Sequence, residues 1–152
     1  MGNKYHNRSI VIDGIKFDST VEGCRYIVLK QMEQEGLISN LRRQVSFEII
    51  PKMLEEEVIH LKTKDKIRQR TVQLPSYYKA DFVYEKDGKL IVEDVKGSTQ
   101  MITADFKLKK KLMKYVYNID VQIVIIPYKE QRAILRNLSP SGSLNQPFPD
   151  QT

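Results

Sequence analysis

YKADFVYEKDGKLIVEDVKG, running from Tyr78 to Gly97, is the stretch that decides how this chain folds. Two strand-like runs, Tyr77 to Glu85 and Leu90 to Lys96, flank Asp87-Gly88, a dipeptide that accepts positive φ at both positions and so favours a two-residue type I′ hairpin turn. With that turn, the numbers of facing residues sum to about 175. Asp81 then lies opposite Asp94, Lys79 opposite Lys96 and Phe82 opposite Glu93. Side chains alternate with period two, so Asp81, Asp94, Lys79 and Lys96 are expected on one face and Glu93 on the other. Facing carboxylates about 5 Å apart repel by roughly 3 kcal/mol at an effective dielectric near 20. Something cationic is therefore expected between them, either a divalent metal or the two lysines.

Outward from the hairpin, the chain reads as β-β-α-β-(insertion)-β-β-α-β. Ser9 to Phe17 alternates around Asp13-Gly14 and predicts a small N-terminal hairpin. Ser19, with Glu22 three residues on, is a capping box opening a helix to about Glu35, with Gly36 as its stop. Val21, Tyr26, Val28, Leu29 and Met32 supply its apolar side. Asn40 to Ile50 predicts a strand with Leu41, Val45, Phe47 and Ile49 on one face, ended by Pro51. About 52–70 the pattern gives way to charge, Glu55 to Glu57 and then Lys62 to Arg70, and predicts an irregular or hairpin insertion. Thr103 to Tyr117 predicts a basic helix, Asp120 to Ile126 a strand covered on both faces, and Glu130 to Arg136 a last short element. A single domain over 1–137 is expected, with a Ser- and Pro-rich disordered tail over 138–152.

Composition narrows the partners. The 152 residues carry 25 Lys and Arg against 19 Asp and Glu, a net charge of +6, which points to a polyanion, nucleic acid first. Cys24 is the sole cysteine, so no internal disulfide forms and a reducing cytoplasm is the expected location. No apolar run is long enough for a membrane span, the start has no signal-peptide core, and the Met1-Gly2 opening lacks the hydroxyl residue of a myristoylation motif. There is no phosphate-binding loop and no zinc-spaced Cys or His cluster. His6 and His60 sit in polar contexts and read as surface residues.

Two chemistries fit the hairpin charges. In the plainer one, Lys79 and Lys96 neutralise Asp81 and Asp94 in a solvated cross-strand cluster. In the other, the aspartates bind Mg²⁺ or Mn²⁺, hard ions that take carboxylate and carbonyl oxygens, with the Val95 backbone carbonyl as a further ligand. Such an ion would polarise a phosphodiester and activate water, and Lys96 lies two residues from Asp94 to meet the scissile phosphate.

Asp81 followed by Asp94-Val95-Lys96 at the end of the next strand resembles the PD-(D/E)XK nuclease signature, with Ala80-Asp81 in place of Pro-Asp. The wording YKADFVY, VEDVKG and FKLKKKLM is similar to a small phage-encoded endonuclease family, and the order Glu, Asp, acid-x-Lys resembles phage-type endonuclease I, the Holliday-junction resolvase. The resemblance covers residues 9 to 127. It implies a restriction-endonuclease-like α/β fold, an α-β-β-β-α-β core with a mixed central sheet flanked by helices, here with an added N-terminal hairpin. It further implies a metal-dependent DNA endonuclease acting on structured or branched DNA in phage replication or recombination, in the host cytoplasm. Asp81 and Asp94 become metal ligands, Lys96 the catalytic lysine, and Glu22 the helical acid that contacts the metal, with helix capping as its plainer role. Gln44 resembles a polar site of this group. Lys107 and Lys111 are expected to meet the DNA backbone, Arg42, Arg43, Lys79 and the 62–70 charge run to make sequence-independent phosphate contacts. Paired nicks at a junction want two active sites, which makes a homodimer the assembly to test. The alternative is a non-catalytic nucleic-acid-binding module that retains the fold and uses the hairpin charges as salt bridges.

Overall fold

The computed structural model describes residues 8–138, so His6 and the 139–152 tail lie outside the described residues. Within them, a mixed four-stranded sheet is flanked by helices and preceded by a strand hairpin. The elements are β1 (Ile10–Ile12), β2 (Ile15–Phe17), α1 (Thr20–Gln34), β3 (Ser39–Ile50), β4 (Met53–His60), β5 (Asp65–Gln73), β6 (Ser76–Lys86), β7 (Lys89–Lys96), α2 (Ala104–Tyr117), β8 (Gln122–Ile125) and α3 (Tyr128–Arg136). The central sheet runs β3-β6-β7-β8, antiparallel except for the parallel β7-β8 pair.

Local chemistry places most boundaries where the sequence puts them. Asp87 and Gly88 take φ of 51° and 72°, and Asp13 and Gly14 do likewise at 51° and 75°, so both hairpins turn on left-handed pairs. Ser19 caps α1: its Oγ accepts from the Glu22 N–H at 3.3 Å and donates to Glu22 Oε1 at 3.1 Å, while Gly36 at φ 75° ends the helix. Thr103 caps α2 and Asn118, at φ 56°, closes it. α3 begins at Tyr128, two residues ahead of the expected start, because Pro127 fixes an extended backbone at its N-cap.

The β6-β7 register is the expected one, with Phe82 facing Glu93, Val83 facing Val92 and Lys86 facing Lys89. It stops there. Asp81 and Asp94 lie beyond the last ladder pair, and Lys79 faces Ser46 of β3 instead of Lys96. Strict alternation fails at the same level. Tyr78, Ala80 and Val83 belong to the core packed under α2, whereas Phe82 and Tyr84 belong to the core under α1 and α3. On β3, Val45, Phe47 and Ile49 face the α2 side and Leu41 the α1 side, so Leu41 does not share their face as expected. The pivot is Gln44, at φ 52°, which the register puts opposite Asp81. Both strands exchange faces at this pair, and that exchange separates Lys79 from Lys96.

The insertion is the hairpin alternative and runs to Gln73 rather than Arg70. β4 and β5 form a separate two-stranded sheet in which Glu57 meets Arg68 at 2.9 Å and Glu55 meets Arg70 at 3.4 Å. Two members of the 62–70 basic run are therefore spent on β4 acids.

Under α1 sits a buried ion pair. Glu93 is 1% exposed, and the Arg25 guanidinium donates to both of its oxygens, at 2.9 and 2.7 Å, while the Tyr84 hydroxyl donates to Oε1. Removing one partner of such a pair strands a buried charge and costs roughly 3–5 kcal/mol, while replacing both with apolar groups is often neutral. Arg25→Met is expected to destabilise the protein by about that amount in urea denaturation, and Arg25→Met combined with Glu93→Met to recover most of the loss.

Candidate active site

Where β6 and β7 part, the two aspartates are held differently. Asp81 Oδ2 accepts the Val95 backbone N–H at 2.8 Å, a donor that a continued ladder would have used, so the side chain takes over where strand pairing stops. Asp94 is 5% exposed; its Oδ2 accepts from the Tyr78 hydroxyl at 3.2 Å. Its Oδ1 accepts no hydrogen bond among the described residues, and is compensated by the Lys96 ammonium 2.5 Å away in an ion pair without hydrogen-bond geometry. Each aspartate thus commits Oδ2 to the protein and leaves Oδ1 without a hydrogen bond among the described residues.

Lys96 is steadied from α2. Its Nζ lies 5.2 Å from the centroid of the Phe106 ring, and that ring packs against Tyr78 with centroids 6.3 Å apart. Tyr78, Asp94, Lys96 and Phe106 therefore form one interlocked group. Burial, with Asp94 and Asp81 nearby, pushes the Tyr78 phenol up, so it serves as a neutral donor.

Glu22 and Gln44 complete the surroundings. Glu22 Oε1 accepts from the hydroxyl of Ser19, the α1 N-cap, at 3.1 Å, and its Oε2 accepts from Gln44 Nε2 at 3.4 Å. Burial raises its pKa, with Asp18 adding to the rise and Ser19, Arg43 and Lys96 opposing it. The left-handed backbone at Gln44 turns that side chain towards α1 rather than into the ladder.

The remaining expected contacts are dispersed. Arg43 stacks on Phe17, 4.2 Å above the ring, and Arg42 is exposed on β3. Lys107 and Lys111 are exposed on α2 and make no ion pair among the described residues, unlike Lys109 and Lys114, which pair with Asp105 and Asp120. Lys79 is exposed on β6, away from the Asp94–Lys96 pair. His60 is a surface residue paired with Asp65 at 2.8 Å. Tyr78 and Phe106 were missed in the sequence; the only signal was that Tyr78 lies three residues before Asp81 on an otherwise buried strand.

Three carboxylates share this region with one close ammonium. Burial, then Asp94 and Glu22, outweigh the Val95 N–H and Lys96 and push Asp81 up to about 7. No three His, Cys, Asp or Glu side chains among the described residues are grouped so as to hold a metal ion as they stand. Mg²⁺ nevertheless keeps most of its waters and uses one or two carboxylates plus substrate phosphate rather than an all-protein cage, a donor set that Asp81 and Asp94 would supply once Lys96 released Asp94 Oδ1.

A family model described as "Protein of unknown function (DUF1064)" matches residues 2–130. No curated protein and no solved structure gives a significant match.

A carboxyl whose folded pKa is raised binds its proton more tightly in the folded state, so its stabilising effect is full below the unfolded value near 3.8 and is lost as pH rises through about 7. Metal-free Asp81→Asn is therefore expected to exceed the parent in Tm by a margin that grows from pH 4 to pH 8. A margin independent of pH in calorimetry would contradict this assignment.

Proposed function

The chain belongs to the family of proteins of unknown function DUF1064, and we propose that it is a Mg²⁺- or Mn²⁺-dependent DNA endonuclease of the restriction-endonuclease-like type. The observation that carries this reading is the pair Asp81 and Asp94 beside Lys96 at the point where β6 and β7 separate, with Asp81 Oδ1 making no hydrogen bond among the described residues and Asp94 Oδ1 held by the Lys96 ammonium alone. Its wording remains similar to the PD-(D/E)XK signature and to phage-type junction resolvases, and structured or branched DNA is the proposed substrate, with a homodimer supplying paired nicks.

Asp81 and Asp94 would hold the ion, with the Val95 carbonyl as a further oxygen and Glu22 acting at one remove through its contact with Gln44. When bound, the ion supplies Lewis-acid polarisation of the phosphodiester and a water of lowered pKa. Lys96 donates to a non-bridging phosphate oxygen as negative charge builds there, and Phe106 restrains its ammonium. Tyr78 keeps Asp94 Oδ2 occupied, so that carboxylate meets a cation through its other oxygen. Arg42, Lys107 and Lys111 are the exposed cations proposed to meet phosphates around the site.

The second reading, a non-catalytic nucleic-acid-binding module, is favoured by the direct Lys96–Asp94 ion pair, which satisfies charge without a metal. Incubation of the protein with plasmid, single-stranded, four-way-junction and duplex RNA substrates, in Mg²⁺, Mn²⁺ or chelator, separates the two. Metal-dependent cleavage is expected, lowered roughly 10³-fold by Asp81→Asn or Asp94→Asn and roughly 10²–10³-fold by Lys96→Ala. Cleavage of nothing, or cleavage indifferent to these substitutions, would leave the binding module standing.

A further inference from the structure

The β4-β5 hairpin is the largest feature the candidate site does not use. Its two strands pack chiefly against each other, and it carries Met53, Leu54, Val58, Leu61, Ile67 and Val72 exposed. It starts in register with the central sheet: Ile50 faces Ser76 at the end of the β3-β6 pair, and Met53 faces Gln73 at the start of the arm, so facing residue numbers have the same sum on both sides of the break. By that register Pro51 stands opposite Pro75. Neither proline has an N–H to donate, so the ladder is cut on both strands at one level, with Gln73 Nε2 to Pro51 O at 3.3 Å bridging it.

The arm's charge is sorted along its length. Near the base, Glu55 and Glu57 are neutralised by Arg70 and Arg68. Toward the tip, Asp65 is taken by His60, while Lys62, Lys64 and Lys66 make no ion pair among the described residues. An isolated two-stranded ribbon is marginal in water, and the facing Val58–Ile67 pair is what such a ribbon needs for its own cohesion. That facing pair serves the ribbon itself, and the uncompensated charge at its outer end is a cluster of three cations.

Resting on the endonuclease reading above, we infer that this arm is a phosphate clamp for duplex DNA flanking the cleavage site, with Lys62, Lys64 and Lys66 as its contacts and the Pro51/Pro75 level as its flexible joint. β6 carries Asp81 and leads directly into the arm, so the tip and the site lie on one ribbon. At ~3.3 Å per residue the path from Asp81 to Asp65 extends at most about 50 Å, more than the ~34 Å of one helical turn of duplex. The substrate class follows: DNA with a duplex arm of a turn or more beside the scissile phosphate is gripped at both places, and shorter DNA only at the site.

The test compares the full chain with Lys62→Gln/Lys64→Gln/Lys66→Gln, measuring anisotropy of labelled duplexes of about 8 base pairs, less than a turn, and about 40 base pairs in chelator across a salt series, and Mn²⁺-dependent cleavage of the same duplexes. Each lost phosphate contact removes about 0.9 from the slope of log affinity against log salt, so the triple variant is expected to flatten the slope on the long duplex by about 2–3 and to weaken binding about tenfold or more at physiological salt. Binding and cleavage of the short duplex stay unchanged, which also reports that the variant folds. Equal slope and affinity on the long duplex would overturn the clamp. So would sedimentation showing a dimer of the full chain that Val58→Asp/Ile67→Asp dissolves while long-duplex binding is untouched, since the arm would then serve a second copy. If the parent shows the arm-dependent slope but never cleaves with metal, the endonuclease reading fails and the clamp stands; if it cleaves and the triple variant changes nothing, the reverse holds.

Discussion

Glu93 is the residue on which the geometry depends. A carboxylate with 1% exposure is tolerable only when paired and hydrogen-bonded, and Arg25 from α1 with Tyr84 from β6 supplies both requirements. The pair joins three elements at one point and opposes a one-residue slip of β7, which would turn Glu93 to the α2 side and away from Arg25. Asp94 and Lys96 are consequently held on the α2 side, next to Tyr78 and Phe106. Arg25 also lies one turn beyond Glu22 on α1. The same ion pair that fixes the register of β7 thereby fixes the helix from which Glu22 reaches Gln44.

The level of Gln44 and Asp81 is where the sheet departs from regularity, and the departure costs free energy. A non-glycine residue at φ 52°, an interrupted ladder and a carboxyl pushed up to about 7 are each unfavourable locally. They coincide with the only place where β6 and β7 separate enough for a backbone N–H to be claimed by a side chain. Two ordered cores, one under α1 and α3 and one under α2, hold this level from both faces. Strain of this kind persists because the surroundings over-determine it.

Much of this arrangement was legible in the sequence because its determinants are local. Asp87-Gly88 sets the hairpin turn, and the turn sets the register up to Phe82 and Glu93. Ser19 with Glu22, and Gly36, bound α1 through hydrogen bonds within a single turn. The parts not legible depend on long-range partners or on rare backbone states. Nothing in LRRQVSF marks Gln44 as left-handed, since glutamine has no special tolerance for positive φ, and so the face exchange and the displacement of Lys79 from Lys96 were hidden. The Arg25–Glu93 pair was hidden, because its two members lie 68 positions apart. The arm was half legible: the acidic and basic runs are visible, and Glu55 and Glu57 meet Arg70 and Arg68 with a constant sum of residue numbers, the mark of an antiparallel pairing.

The Lys96–Asp94 contact bears on both proposed readings, and electrostatics ranks them. Glu22, Asp81 and Asp94 share the Lys96 ammonium, with Arg43 acting on Glu22, and burial first, then Asp94 and Glu22, keep the Asp81 carboxyl raised. If lysine compensation were the whole purpose of the cluster, Lys79 would be expected at its place opposite Lys96; it faces Ser46 instead. On the endonuclease reading a divalent ion would add positive charge there and favour the ionised form of each neighbouring carboxylate, Asp81 included. On the endonuclease reading it also takes Asp94 Oδ1 from Lys96, leaving that ammonium, restrained over Phe106, available to a phosphate. On that reading the Lys96–Asp94 pair occupies the oxygen that the ion would take.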